Sequence, residues 1–95
     1  MVIRSFVDED ASNFFKKGRL PRKKGWSVFR SIVRRKLDML HYATDIKDLR
    51  NPPGNRLEAL SGDLKGCYSI RVNDQWRIVF KWDNQPYEVR LLDYH

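Results

Sequence analysis

A two-layer α+β domain is the fold this sequence predicts: strand, helix, helix, then three or four strands. The sheet is expected to be mostly antiparallel, with the helices packed on one face. Three observations lead there. Trp26, Phe29, Val33, Leu37 and Leu40 recur at spacings of three and four, which is one face of an α-helix. Residues 66–72 and 76–82 alternate apolar and polar side chains, as half-buried strands do. The chain has 95 residues, 41% of them hydrophobic, enough for one small core and a single domain over residues 1–95.

The elements follow in order. Residues 2–6 read as a first strand. Asp8 can cap a short helix over Glu9–Lys17, with Phe14 and Phe15 facing inward and Gly18 as its C-terminal stop. Residues 16–25 form the one basic, loop-like insert, broken by Pro21 and Gly25. A long helix over residues 26–43 carries the apolar stripe, with Arg30, Arg34, Arg35 and Asp38 largely on its other side. His41, near its C-terminus, is expected to sit there as a cation favoured by the helix dipole rather than as a catalytic group. A turn of helix over 45–50 precedes Asn51-Pro52-Pro53-Gly54-Asn55, which forces a turn. Residues 56–60 are a short extended stretch ended by Ser61-Gly62. A β meander closes the chain. Tyr68, Ile70 and Val72 share one side, as do Trp76, Ile78, Phe80 and Trp82, and residues 87–93 make the last strand.

Charge narrows the partners. Nineteen Lys and Arg against twelve Asp and Glu give a net charge of +7. Residues 11–37 hold ten basic side chains and no acidic one. Such a field favours a polyanion or an acidic protein. No apolar run is long enough to span a bilayer, and the start, Met1-Val2-Ile3-Arg4-Ser5-Phe6, turns acidic at Asp8, unlike an export signal. The expectation is a cytoplasmic protein that needs no membrane. Cys67, the single cysteine, cannot form an internal disulfide, and with His41 and His95 it lacks zinc-ligand spacing. No metal or cofactor is expected.

With helices on one face, the other face should be uncovered and present Arg71, Arg77, Lys81 and Arg90. That face could hold RNA phosphates, or it could be solvated and paired with Glu88 and Asp74. Metal-free RNA cleavage needs little: a base for the ribose 2′-OH, a cation for the charged phosphate, and an acid for the leaving 5′-oxygen. Many chains could supply that set, so composition leaves the reaction open.

A family resemblance narrows it. Asn55 through Gly62 (Asn-Arg-Leu-Glu-Ala-Leu-Ser-Gly), Gly66 through Asn73 (Gly-Cys-Tyr-Ser-Ile-Arg-Val-Asn), Asp74-Gln75-Trp76-Arg77-Ile78-Val79-Phe80 and the ending Asp93-Tyr94-His95 closely resemble the HigB toxins of the RelE/ParE superfamily. The likeness extends to Ile3-Arg4-Ser5-Phe6 and the Asn51–Asn55 turn. It implies a RelE-like fold and a type II toxin–antitoxin module. The implied activity is cleavage of mRNA in the ribosomal A site, held off by a HigA-type antitoxin with a helix-turn-helix domain. Operator DNA would be met only through that antitoxin. Arg77 matches the family's phosphate-stabilising arginine. His95 matches its terminal histidine, with Tyr94 and Asp93 as orienting or stacking groups. Several HigB toxins read Leu-His-Pro-Leu-Lys-Gly where this chain has Leu57-Glu58-Ala59-Leu60-Ser61-Gly62. Glu58 thus stands for a histidine and Ser61 for a phosphate-binding lysine. The related YoeB toxins use a glutamate at what looks like the equivalent point as general base, so Glu58 is either the base or an ordinary surface carboxylate.

On the charge of residues 11–37, Lys16, Lys17, Arg19, Arg22, Lys23 and Lys24 are expected to contact rRNA or the antitoxin, and Arg71, Lys81 and Arg90 of the sheet face to bind RNA. Bland roles compete: Arg77 could pair with Asp93 across the sheet, and Trp76 and Trp82 could be core. Two other functions remain open. One is a non-enzymatic, ParE-like toxin acting on DNA gyrase, which has no use for Asp-Tyr-His beside Arg77. The other is a plain RNA-binding module, for which the known aromatic and Gly-x-x-Gly signatures are absent.

Overall fold

The computed structural model describes residues 3–22 and 25–93. Lys23, Lys24, Tyr94 and His95 lie outside the described residues, as does Val2 of the expected first strand.

Helix α1 spans Glu9–Lys17. Asp8 Oδ1 accepts the Ala11 amide at 3.2 Å, and Glu9 and Asp10 sit where the helix dipole favours carboxylates. Gly18, at φ 70°, turns the chain out in the left-handed conformation that glycine adopts without a steric penalty. The second helix begins later than its apolar stripe. Residues Gly25–Phe29 form a 3₁₀ turn, and α2 covers Arg30–Tyr42. Phe29 offers no capping side chain and the first turn holds no acid, so the tighter turn supplies the entry. Gly25 packs closely there: a Cβ would stand 3.0 Å from the Trp76 ring, which would have to give way.

Four strands follow: β1 Glu58–Ala59, β2 Tyr68–Arg71, β3 Trp76–Trp82 and β4 Pro86–Asp93. They lie in the order β1-β2-β3-β4, each antiparallel to its neighbour. A bulge between the Val79 and Lys81 pairings bends β4, where Glu88 takes φ 50°. The expected first strand is reduced by this bulge. Among its described residues, only Phe6 bridges β4, parallel to Val89, with Arg4 N–H on Pro86 O and Ser5 Oγ accepting the Glu88 amide. The irregular partner cannot sustain a regular ladder.

The core lies between helices and sheet. Ala11 and Phe14 of α1, Trp26, and Val33, Leu37 and Leu40 of α2 pack on Ile70, Val72, Ile78, Phe80, Val89 and Leu91. Trp76 and Trp82 pack against its edge, as structural residues. His41, near the end of α2, has a structural role: its Nδ1 accepts the Ile3 amide at 3.2 Å and ties down the N-terminal segment. No helix among the described residues is long and apolar enough to cross a membrane.

Two of the buried polar side chains among the described residues link α2 to the turn before β1. Lys36 is 5% exposed and Asn55 fully buried. Lys36 Nζ donates to Asn55 Oδ1, and Asn55 Nδ2 donates to Leu49 O at 3.1 Å and Asn51 O at 3.3 Å. This network fastens α2 to the turn Pro53–Asn55, immediately before Arg56 and β1.

Candidate active site

Register places the candidate site on the sheet face away from the helices. Glu58 stands opposite Ser69, and Arg71 opposite Arg77. Antiparallel partners share a face, so all four side chains emerge on one side. That face is not open as expected. Ser69 and Val79 are buried and Arg77 is 6% exposed. Val7, Leu64 and Lys65 rim the hollow over Val79, shielding part of the sheet.

Arg77 is the best-held residue of the group. Nη1 donates to Ser69 Oγ at 3.0 Å, and Nη2 to Glu58 Oε1 at 3.2 Å and Arg56 O at 3.4 Å. Among the described residues, a carboxylate it meets is that of Glu58 on β1. Arg56 adopts φ 46°, a left-handed conformation that costs a non-glycine residue roughly 1 kcal/mol, and this turns its carbonyl toward Arg77. Glu58 itself stays half exposed.

Arg56, Glu58, Arg71, Asn73, Asp74 and Arg77 line one concavity of about 200 Å³. Arg71 bonds the Asp74 carboxylate at the rim. Three arginines against two carboxylates leave the hollow positive. A fixed guanidinium beside a solvent-reachable carboxylate can offset charge on a phosphate and take a proton next to it. Among the described residues, no three His, Cys, Asp or Glu side chains gather where they could hold a metal ion.

The other expected site residues are dispersed. Asp93 pairs with Trp76, one step from Arg77, so its side chain leaves the opposite face of the sheet, and its Oδ2 accepts Gln75 Nε2 at 3.1 Å. Lys81 and Arg90 line a separate hollow with Val79 and Glu88. Lys81 Nζ lies 3.1 Å from Glu88, which pushes the lysine pKa up. Lys16 and Lys17 end α1, and the Lys16 ammonium stands 5.9 Å from the Phe6 ring centre. Arg19 and Arg22 lie in the exposed loop beyond it. Ser69 and Arg56 are members that sequence reasoning missed. Arg56 could have been found as the one cation between the Asn-Pro-Pro-Gly-Asn turn and Glu58. Ser69 left no such signal.

Two helices pack on one face of an antiparallel sheet, and a recessed arginine lies on the other, an α+β architecture. A solved structure with that architecture is the YoeB-YefM complex from Staphylococcus aureus, with a TM-score of 0.53 and 18% identity, covering 100% of this chain and 99% of that one. Residues 4–95 match the HigB-like toxins, described as RelE-like toxins of the type II toxin–antitoxin system HigB, and the chain belongs to that family. Its relatives include Toxin HigB-1 of Vibrio cholerae serotype O1, 52% identical over 56 residues, which are 59% of this chain and 59% of the relative. Endoribonuclease HigB of Proteus vulgaris is 33% identical over 95 residues, 99% of this chain and 100% of the relative. An uncharacterized protein of Haemophilus influenzae is 37% identical over 90 residues, 95% and 88% of the two chains. The family match does not favour the ParE-like alternative.

Proposed function

We propose that this HigB-family toxin is an endoribonuclease that cleaves mRNA in the ribosomal A site and so stops translation. The observation that carries the reading is the Arg77 guanidinium, recessed in a positive concavity and held by Ser69, Glu58 and the Arg56 carbonyl. A carboxylate takes the proton from a ribose 2′-OH, and that oxygen attacks the adjacent phosphorus. The 5′-oxygen leaves with a proton from a general acid. The products are a 2′,3′-cyclic phosphate, which can open to a 3′-phosphate, and a free 5′-hydroxyl. Arg77 offsets the charge that builds on the phosphate oxygens, and because it is already fixed it needs no reorganisation. Glu58 is the base in this reading and His95 the acid, each contributing about 10²–10⁴-fold. Tyr94 and Asp93 orient the chain end, and Arg71 gives a second phosphate contact. Ser61, where the resemblance implies a phosphate-binding lysine, leaves out a third.

The basic residues 16–24, with Lys81 and Arg90, would meet rRNA or the antitoxin. The antitoxin is proposed to be of the HigA type, with a helix-turn-helix domain through which alone operator DNA is reached. The site of action would be the cytoplasm, where ribosomes translate. Mapping mRNA ends by primer extension in a translating extract tests this reading. New ends confined to A-site codons, and lost when ribosomes are omitted, are expected. Intact mRNA with arrested gyrase would replace the reading with the ParE-like one.

A further inference from the structure

Glu58 and Ala59 are adjacent on β1 but point to opposite faces. Glu58 lines the arginine concavity, and Ala59 lines a second groove of about 320 Å³ with Ile46, Lys47, Arg50, Leu57 and Tyr68. The groove has an apolar floor: Ile46, Leu57 and the Tyr68 ring are only partly buried against the core. Two cations, Lys47 and Arg50, stand exposed on its rim. β1 is also the edge of the sheet, and both its residues are exposed. The Leu60 amide bonds Cys67 O at 2.9 Å. Antiparallel ladders alternate, so Glu58 makes the next bonds to β2, and the Ala59 N–H and C=O turn outward.

We propose that this edge and groove bind an extended, acidic–apolar alternating segment of the antitoxin, which adds as a fifth strand beside β1. The proposal rests on the antitoxin reading above. A strand added there receives backbone bonds from Ala59 and places alternate side chains on the two faces of the sheet. Apolar ones fill the floor of Ile46, Leu57 and Tyr68, and Lys47 and Arg50 hold carboxylates at its rim. Side chains on the other face stand beside Glu58 and Arg56, at the mouth of the arginine concavity. Such a segment blocks the phosphate site without touching Arg77. A protein suits this groove better than RNA does. Nucleotides gain little from Ile46, Leu57 or an open strand edge, and the one aromatic ring of the lining, Tyr68, is already stacked on Phe80 with centroids 6.1 Å apart.

The test uses the complex with the antitoxin encoded beside the toxin gene. Hydrogen exchange of the peptide covering residues 57–61 should slow on complex formation, by about tenfold or more at Ala59. Lys47→Glu/Arg50→Glu should weaken antitoxin affinity at least about tenfold by replacing attraction with repulsion. The same variant should cleave mRNA at the wild-type rate. A complex that forms while residues 57–61 exchange as in the free toxin overturns the proposal. So does a charge reversal that lowers ribosome binding and leaves antitoxin affinity intact, which would assign the groove to RNA. If the neighbouring gene product does not bind the toxin at all, the antitoxin reading itself falls, and the proposal with it.

Discussion

Replacing Asn55 with alanine removes a polar hub that no solvent reaches. Its carboxamide is fully buried and holds three groups: the Lys36 ammonium, Leu49 O and Asn51 O. A bond to a charged group contributes about 1.5–3 kcal/mol and a neutral one about 0.5–1.5 kcal/mol. The loss therefore comes to about 2.5–6 kcal/mol, against a total stability of about 5–15 kcal/mol for a domain of this kind. At about 4–8 °C per kcal/mol, the melting temperature should fall by at least about 10 °C. Urea unfolding followed by circular dichroism measures the change, with an unaltered slope showing that only stability moved. The control is Asn55→Ala/Lys36→Met. The single variant leaves a buried ammonium without its acceptor, and the double one removes that charge, so it should recover part of the loss. A destabilisation under about 1 kcal/mol, or a double variant no better than the single one, would refute the reasoning.

Further expectations come from the same structure. Burial, then the charges of Arg35 and Arg71, lower the Lys36 pKa from the usual 10.5. The folded state thus binds fewer protons than the unfolded one between the two pKa values, so stability should rise with pH as 10.5 is approached from below, and Lys36→Met should flatten that rise. Lys81 has the opposite sign: its pKa is raised by Glu88, so its contribution is complete below 10.5 and lost above it, and Glu88→Gln should remove that alkaline loss in a urea titration. Asp8→Ala should cost about 1 kcal/mol in the same unfolding assay, since Asp8 caps α1 and its other oxygen accepts the Leu91 amide at 3.3 Å. Glu58→Gln should slow single-turnover mRNA cleavage by about 10²–10⁴-fold if Glu58 is the base, and near-wild-type cleavage would reduce it to a partner of Arg77.

What could be read from the sequence was local. Asp8 and Gly18 bracket α1, and the alternation from Trp76 to Trp82 marks β3 end to end. What could not be read depends on neighbours distant in the chain. The N-terminal strand shrinks to a bridge because β4 bulges at Glu88. Lys36 is charged, yet its position, three after Val33 and four before Leu40, falls on the apolar stripe. Only the Asn55 acceptor lets it stay there. At the site, the spacing of Glu58 and Arg77 showed no contact between them. The antiparallel pairing of β1 with β2 and β2 with β3 brings them to 3.2 Å. The Ser69 hydroxyl, hidden under Arg77, carried no mark in the sequence at all.

The most direct test of the central claim is the rate at which Arg77→Ala cleaves mRNA on translating ribosomes in a single turnover. Its fold is checked by circular dichroism and its integrity by antitoxin binding. The guanidinium is the one cation fixed by three described partners in the concavity, so its loss should slow cleavage by at least about 10²-fold while fold and antitoxin binding persist. A folded Arg77→Ala protein that cuts mRNA at the wild-type rate would contradict the account and remove the concavity from the reaction.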